Sequence, residues 1–240
     1  MQDDEGAIVK IIDAGRRFLV LHTHGFIQSR IVFFVMNLHI RPRVIYLSRH
    51  GESELNVAGR IGGDADLSPR GQEYARRLPD FFRSQLGDVN LTVWTSTFKR
   101  TQQTAEPLPY RKLAWKALDE IDAGVCDGLT YEEIAERFPE DFAARDDDKF
   151  NYRYRGGESY RDLVLRVEPI IMELERQENN FVVGHQAVLR AILAYFMNYP
   201  LSELPYVEVP LHTVVKLTPR AYGTQYEKCA HLLSIERQLC

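Results

Sequence analysis

The stretch Val44-Ile45-Tyr46-Leu47-Ser48-Arg49-His50-Gly51-Glu52-Ser53 constrains the rest of the chain more than any other. An apolar, partly β-branched run stops abruptly at Arg-His-Gly, so a buried strand delivers a cation and an imidazole to a turn where glycine permits close approach of another group. In an open α/β sheet the crevice lies outside the carboxyl ends of the strands, which is where this pattern puts Arg49 and His50. Phe181-Val182-Val183-Gly184-His185 repeats the device and runs on into a helical pattern. One histidine at a strand end is more often a hydrogen-bonded structural residue than a reactive one. Two of them, on strands that can lie side by side, aim two imidazoles at one point.

With 240 residues, 45% of them apolar, the chain can build one large domain or a domain with an appendage. Its formal charge of -4 argues against a nucleic-acid binder, so any phosphate site must be locally basic. Cys126, Cys229 and Cys240 are odd in number and lack metal-ligand spacing, which suggests reduced thiols in a reducing compartment. The start Met1-Gln2-Asp3-Asp4-Glu5 is acidic where a secretory signal would be basic, and the apolar run from Ile31 to Met36 is too short for a membrane span. A cytoplasmic protein without membrane attachment is the expectation. His22 and His24 alternate without a third ligand nearby and read as strand residues, so no metal is expected there.

Residues 1 to 40 read as a small β-β-α appendage. Two short apolar runs, Ile8 to Ile12 and Phe18 to Leu21, flank Ala14-Gly15, and Ile27, Ile31, Phe34, Val35 and Leu38 fall at helical spacing. After the Arg-His-Gly turn, Gly59 to Asp64 forms a glycine-rich loop that could wrap amides around an anion. Ser68-Pro69 starts a helix with Tyr74, Leu78, Phe81 and Phe82 on its buried stripe. Leu91 to Thr95 is a second strand, and Ser96 is expected to cap a helix that carries Lys99 and Arg100 in its first turns, toward an anion or simply toward solvent. Leu118-Asp119-Glu120-Ile121-Asp122-Ala123-Gly124 offers carboxylates for general acid work, or a plain acidic loop. Thr130-Tyr131-Glu132-Glu133 is a capping box, Arg145 and Lys149 share a face if their segment is helical, and Ser159 with Asp162 caps a helix kinked at Pro169. The segment from His212 to Thr218 reads as a late strand.

An Arg-His-Gly after a first strand together with a second histidine after a late strand resembles the histidine phosphatase, or phosphoglycerate mutase-like, superfamily. The longer strings Arg49 to Asn56, Gly59 to Asp64, Trp94-Thr95-Ser96, Glu120 to Cys126 and Gly184 to Val188 resemble the bisphosphatase half of the 6-phosphofructo-2-kinase/fructose-2,6-bisphosphatases over residues 41 to 240. Ile11 to Gly15, Gln28 to Arg30 and Met36 to His39 resemble the tail of the kinase half. Gly-x-x-x-x-Gly-Lys-Ser/Thr does not occur, so kinase activity is not expected, and a kinase domain is a partner the chain itself lacks. Without that neighbour the appendage's apolar face would be exposed. The chain departs from the family with Arg155-Gly156 before Gly157-Glu158-Ser159-Tyr160, and with Gly184 where cysteine is more usual before the histidine.

The resemblance implies an α/β fold, a three-layer αβα sandwich with a mostly parallel central sheet, carrying the appendage. It implies hydrolysis of fructose 2,6-bisphosphate through a phosphohistidine on His50, with Arg49, Arg100, His185 and Asn56 stabilising the phosphoryl group and Glu120 as acid and then base. Arg60, Gly62, Tyr131, Arg145, Lys149, Tyr160, Gln186 and Arg190 would bind the sugar and its second phosphate. The arginines and His185 would supply the positive charge that a metal otherwise brings, so no cofactor is expected. Two other readings stay open. A phosphoglycerate mutase uses the same core, although mutases usually have tryptophan where Leu55 precedes Asn56; an inactive phosphosugar-binding module would be the other.

Overall fold

The computed structural model describes residues 6–12, 17–23, 25–37, 43–87, 90–220 and 223–231. Its first elements are an antiparallel hairpin, β1 (Ile8–Ile12) with β2 (Arg17–Leu21), and helix α1 (Phe26–Asn37). The β-β-α order expected for this segment is therefore present, while Ala14-Gly15, His24, Leu38 and Cys240 lie outside the described residues. His22 is not a strand residue: it follows β2 with a φ of 57°. Helix α1 is apolar nearly all round and exposes Phe26, Ile27, Ile31 and Phe33.

The remaining elements are β3 (Val44–Arg49), α2 (Glu54–Val57), α3 (Pro69–Leu86), β4 (Thr92–Thr95), α4 (Lys99–Ala105), β5 (Arg111–Ala114), α5 (Tyr131–Arg137), α6 (Pro139–Asp147), α7 (Tyr160–Arg176), β6 (Asn179–Gly184), α8 (Gln186–Met197), β7 (Thr213–Arg220) and β8 (Gly223–His231). The sheet order is β5-β4-β6-β3-β7-β8. The pairings β5·β4, β4·β6 and β6·β3 are parallel, and β7 and β8 close the other edge antiparallel.

Alternation along β3 makes the sandwich. Ile45 and Leu47 enter one core with Leu163, Val167, Ile170 and Leu174 of α7 and Val188 and Ile192 of α8. Tyr46 enters the opposite core with Tyr74, Leu78 and Phe82 of α3. The two layers of helices thus read one strand from both sides. A third, smaller core of Ala123, Cys126, Ile134 and Tyr154 sits under α5 and α6.

Local chemistry sets the helix starts. Ser68 caps α3 by accepting from Gly71 N–H with Pro69 in the first turn, and Thr130 with Glu133 and Ser159 with Asp162 form the expected capping boxes of α5 and α7. Helix α7 carries Pro169 within its span. Two local expectations fail. The N-cap of α4 is Phe98, not Ser96; the Ser96 oxygen accepts from the Phe98 N–H at 3.1 Å and also bonds His185 and Thr101. Lys149 does not share a helix with Arg145, since α6 ends at Asp147 and Asp148 is its C-cap.

Candidate active site

Strands β3 and β6 are adjacent and parallel, with Arg49 opposite Gly184. The residue after each is therefore a histidine at the same level of the sheet, and the His50 N–H donates to the Gly184 carbonyl at 3.0 Å. Both imidazoles are buried, with ring centroids 5.2 Å apart.

The turn that carries His50 is held from several sides. The Gly51 N–H donates to Thr104 Oγ1 at 2.9 Å and the Glu52 N–H to His212 Nε2 at 3.1 Å. A Cβ on Gly51 would lie 2.6 Å from the Gly71 carbonyl oxygen, and one on Gly71 would lie 2.1 Å from that of Glu52. Two glycines are what allow α3 to start directly against the reactive turn.

His50 Nδ1 lies 2.7 Å from the Gly51 carbonyl oxygen, an acceptor only, so Nδ1 carries the proton. Nε2 keeps its lone pair and accepts from Arg100 Nε–H at 3.2 Å. Burial, then Arg100, with Arg49 and His212 adding smaller effects, pushes the His50 pKa down to about 3 against the Gly51 hydrogen bond. The imidazole is neutral at physiological pH. Burial likewise holds His185 well below the usual histidine range, with His50, Arg100 and Arg49 acting in the same direction. His185 Nε2 is hydrogen-bonded with Ser96 Oγ at 2.8 Å, while its Nδ1 and the Nε of Arg49 are buried without a partner. Two orphaned nitrogens beside one neutral, tethered imidazole are the mark of a site built for an anion.

Each cation is placed by backbone. Arg49 Nη1 donates to the Val209 carbonyl at 3.2 Å, and Arg100 Nη1 to the Gly63 carbonyl at 2.5 Å with its guanidinium 4.8 Å from the Phe98 ring centre. Burial lowers the pKa of both arginines, and the Glu120 carboxylate is the largest influence opposing it. Glu120 Oε1 accepts from Ile121 N–H at 2.9 Å and from Ala187 N–H at 3.2 Å, the latter in the first turn of α8. Asn56 Oδ1 accepts from both the N–H and the hydroxyl of Ser53 at 3.0 Å, which leaves its amide nitrogen as the end able to donate.

A cavity of about 210 Å³ is lined by Arg49, His50, Asn56, Arg60, Gly62, Arg100, Glu120, Tyr131, Arg145, Lys149, Tyr160, Gln186 and Arg190. Every candidate residue read from the sequence except His185 lines this one space, and the His185 ring centroid lies 5.2 Å from that of His50. At the far end Arg145 Nε donates to Tyr154 OH at 2.9 Å and Arg190 Nη1 to Tyr160 OH at 2.8 Å. The Lys149 ammonium lies 4.8 Å from the Tyr206 ring centre. Burial, then Arg145 and Arg190, pushes its pKa down to about 8. Arg60 lines the cavity while its guanidinium pairs with both carboxylate oxygens of Glu133 at 2.8 and 3.2 Å.

Sequence reading missed Ser96 as the partner of His185, Tyr154 as a wall of the cavity, and His212 as a support of the turn. Ser96 and His185 are 89 positions apart, and only the pairing of β4 with β6 brings them together. Among the described residues no group of three His, Cys, Asp or Glu side chains is placed to hold a metal ion, and no helix is long and apolar enough to cross a membrane.

The sequence profile of the histidine phosphatase superfamily (branch 1) matches residues 45–231. A Saccharomyces cerevisiae protein named fructose-2,6-bisphosphatase is 58% identical over 227 residues, covering 95% of this chain and 50% of its own length. A Gallus gallus 6-phosphofructo-2-kinase/fructose-2,6-bisphosphatase is 60% identical over 229 residues, covering 94% of this chain and 48% of its own length. The chain spans about half the length of these curated relatives. Among solved structures, the alpha-ribazole phosphatase of Shigella flexneri superposes with a TM-score of 0.68 at 24% identity, over 78% of this chain and 96% of that one, a likeness of fold.

Proposed function

The chain belongs to the histidine phosphatase superfamily, and from that membership we propose that it hydrolyses fructose 2,6-bisphosphate to fructose 6-phosphate and inorganic phosphate through a phosphohistidine on His50. The observation that carries the reading is the tethering of His50: Nδ1 is tied to the Gly51 carbonyl and Nε2 presents a neutral lone pair inside a cation-lined cavity. A phosphoryl group entering there would take the Arg100 donor away from Nε2, and the freed lone pair attacks phosphorus in line. Arg49, Arg100, Asn56 and the protonated Nδ1 of His185 meet the equatorial oxygens, the Ser96 hydroxyl donating to His185 Nε2 to select that tautomer. Glu120 enters the cycle as the carboxylic acid, gives its proton to the departing sugar oxygen and, in the second half of the reaction, regains one from the water that attacks the phosphohistidine. Arg145, Lys149 and Arg190 hold the second phosphate, and Tyr131, Tyr160 and Gln186 line the sugar. Gly62 closes the near wall, where a Cβ would meet Asp127 Oδ1 at 1.6 Å.

The names of the relatives support this substrate, and the exposed apolar surface of α1 supports a covering neighbour such as the kinase half those names carry. Division into an appendage over 1–40 and a phosphatase domain over 41–240 belongs to the same proposal. The test is incubation with fructose 2,6-bisphosphate labelled at the 2-phosphate and an alkaline quench. Fructose 6-phosphate, free phosphate and a label trapped on wild type but not on His50→Ala are expected. No release and no trapped label from a folded protein would overturn the assignment; turnover of bisphosphoglycerate instead would favour a mutase.

A further inference from the structure

We propose that Arg166, with Glu158 as its anchor, is a positioning residue for Glu120, an inference that rests on the functional reading above. Glu120 lies in an irregular segment that follows the short 3₁₀ turn Lys116–Leu118 and belongs to no strand or long helix. Its carboxylate has two backbone donors, one of them its own neighbour Ile121, so the place of the side chain depends on where the segment itself is held.

Arg166 projects from α7 and divides its fork between that segment and Glu158. Nη1 donates to the carbonyls of Ala117 at 2.9 Å and Asp119 at 3.0 Å, and Nη2 reaches the Glu120 carbonyl at 3.5 Å. Nε and Nη2 donate to the two carboxylate oxygens of Glu158, each at 2.8 Å. Glu158 grips the other flank, where its Oε2 accepts from the Asp122 N–H at 3.1 Å and its own N–H donates to the Asp122 carbonyl at 2.9 Å. One bidentate ion pair therefore holds the backbone on both sides of Glu120. A planar fork is the chemistry that can satisfy a carboxylate and several carbonyls at once; lysine cannot reproduce it. Arg166 and Glu158 are absent from the lining of the catalytic cavity and line an adjoining space that shares Glu120 and Ile121 with it, so their hold on Glu120 runs through its backbone.

The experiment is a double-mutant cycle read by the single-turnover rate of phosphohistidine formation from the labelled bisphosphate. Arg166→Met keeps the apolar stem and removes the fork, and a misplacement of the order of an ångström lowers the rate about tenfold to a hundredfold, with the half-saturating substrate concentration unchanged. In a Glu120→Gln background the same substitution changes the rate by less than about twofold, because the group it positions is already disabled. Arg166→Lys restores part of the loss, and Glu158→Gln gives a smaller loss of the same kind, a second route if Arg166→Met does not fold. Equal losses in both backgrounds, or a loss that falls on substrate affinity, would overturn the positioning role while leaving the activity in place. A wild-type chain that forms no phosphohistidine would instead sink the functional reading itself.

Discussion

Substrate affinity should fall as pH rises through the titration of Lys149. Burial and the neighbouring Arg145 and Arg190 bring this ammonium down to about 8, so it loses its charge within a pH range that leaves the rest of the site unchanged. His50, at about 3, is neutral throughout, and Tyr160, raised to about 12 chiefly by burial, stays protonated. The substrate is also constant, because a phosphate monoester with a second pKa near about 6 is already a dianion. From pH 7 to pH 9 the charged fraction of Lys149 falls from roughly nine-tenths to roughly one-tenth, so the ammonium's share in holding the distal phosphate beside Arg145 and Arg190 is lost and KM rises by up to about tenfold. The size is consistent with one charge-assisted contact, about 1.5–3 kcal/mol, or roughly tenfold to a hundredfold in affinity. A bound dianion favours the ammonium, so binding near pH 8 should be accompanied by proton uptake. The assay is KM against pH for wild type, Lys149→Ala and Lys149→Arg. The alanine variant should start tenfold to a hundredfold weaker and show no rise, and the arginine variant should remain flat because guanidinium keeps its charge. A wild-type KM constant to pH 9, or a rise that survives in Lys149→Ala, would show that Lys149 does not read the phosphate.

Two further outcomes concern stability. His50 and His185 are held below the ordinary 6.5 in the folded chain, so the unfolded chain binds more protons. Their contribution is intact above that value and is lost as pH falls below it, for His50 until about 3, by up to about 1.4 kcal/mol per pH unit for each. Urea unfolding at pH 7, 6 and 5 should show a shallower loss in His50→Gln, and an identical slope would contradict the burial argument. Gly71→Ala should cost about 1–3 kcal/mol because its Cβ would press on the Glu52 backbone, which has little room to yield. An unchanged denaturation midpoint would show that the turn relaxes freely.

Much of this protein is legible before folding. The apolar runs before Arg49 and His185, the capping pairs at Ser159 and Thr130, and Pro69 at the start of α3 are local signals, each decided by neighbours within about four positions. They establish the strands, the helix starts and the two histidines, and the strings around them carry the family. Tertiary structure decided the rest. Ser96 bonds an imidazole 89 positions away because β4 and β6 became neighbours, while its oxygen still accepts from the Phe98 N–H at the start of its own helix. The same holds for Arg60, whose ion pair with Glu133, 73 positions on, no local pattern announces, and for Arg166, a helix arginine with no local mark that holds a loop 46 to 49 positions away. Sequence pattern specifies what a residue can donate or accept; only packing specifies which partner is within 3 Å, and how far burial moves its proton.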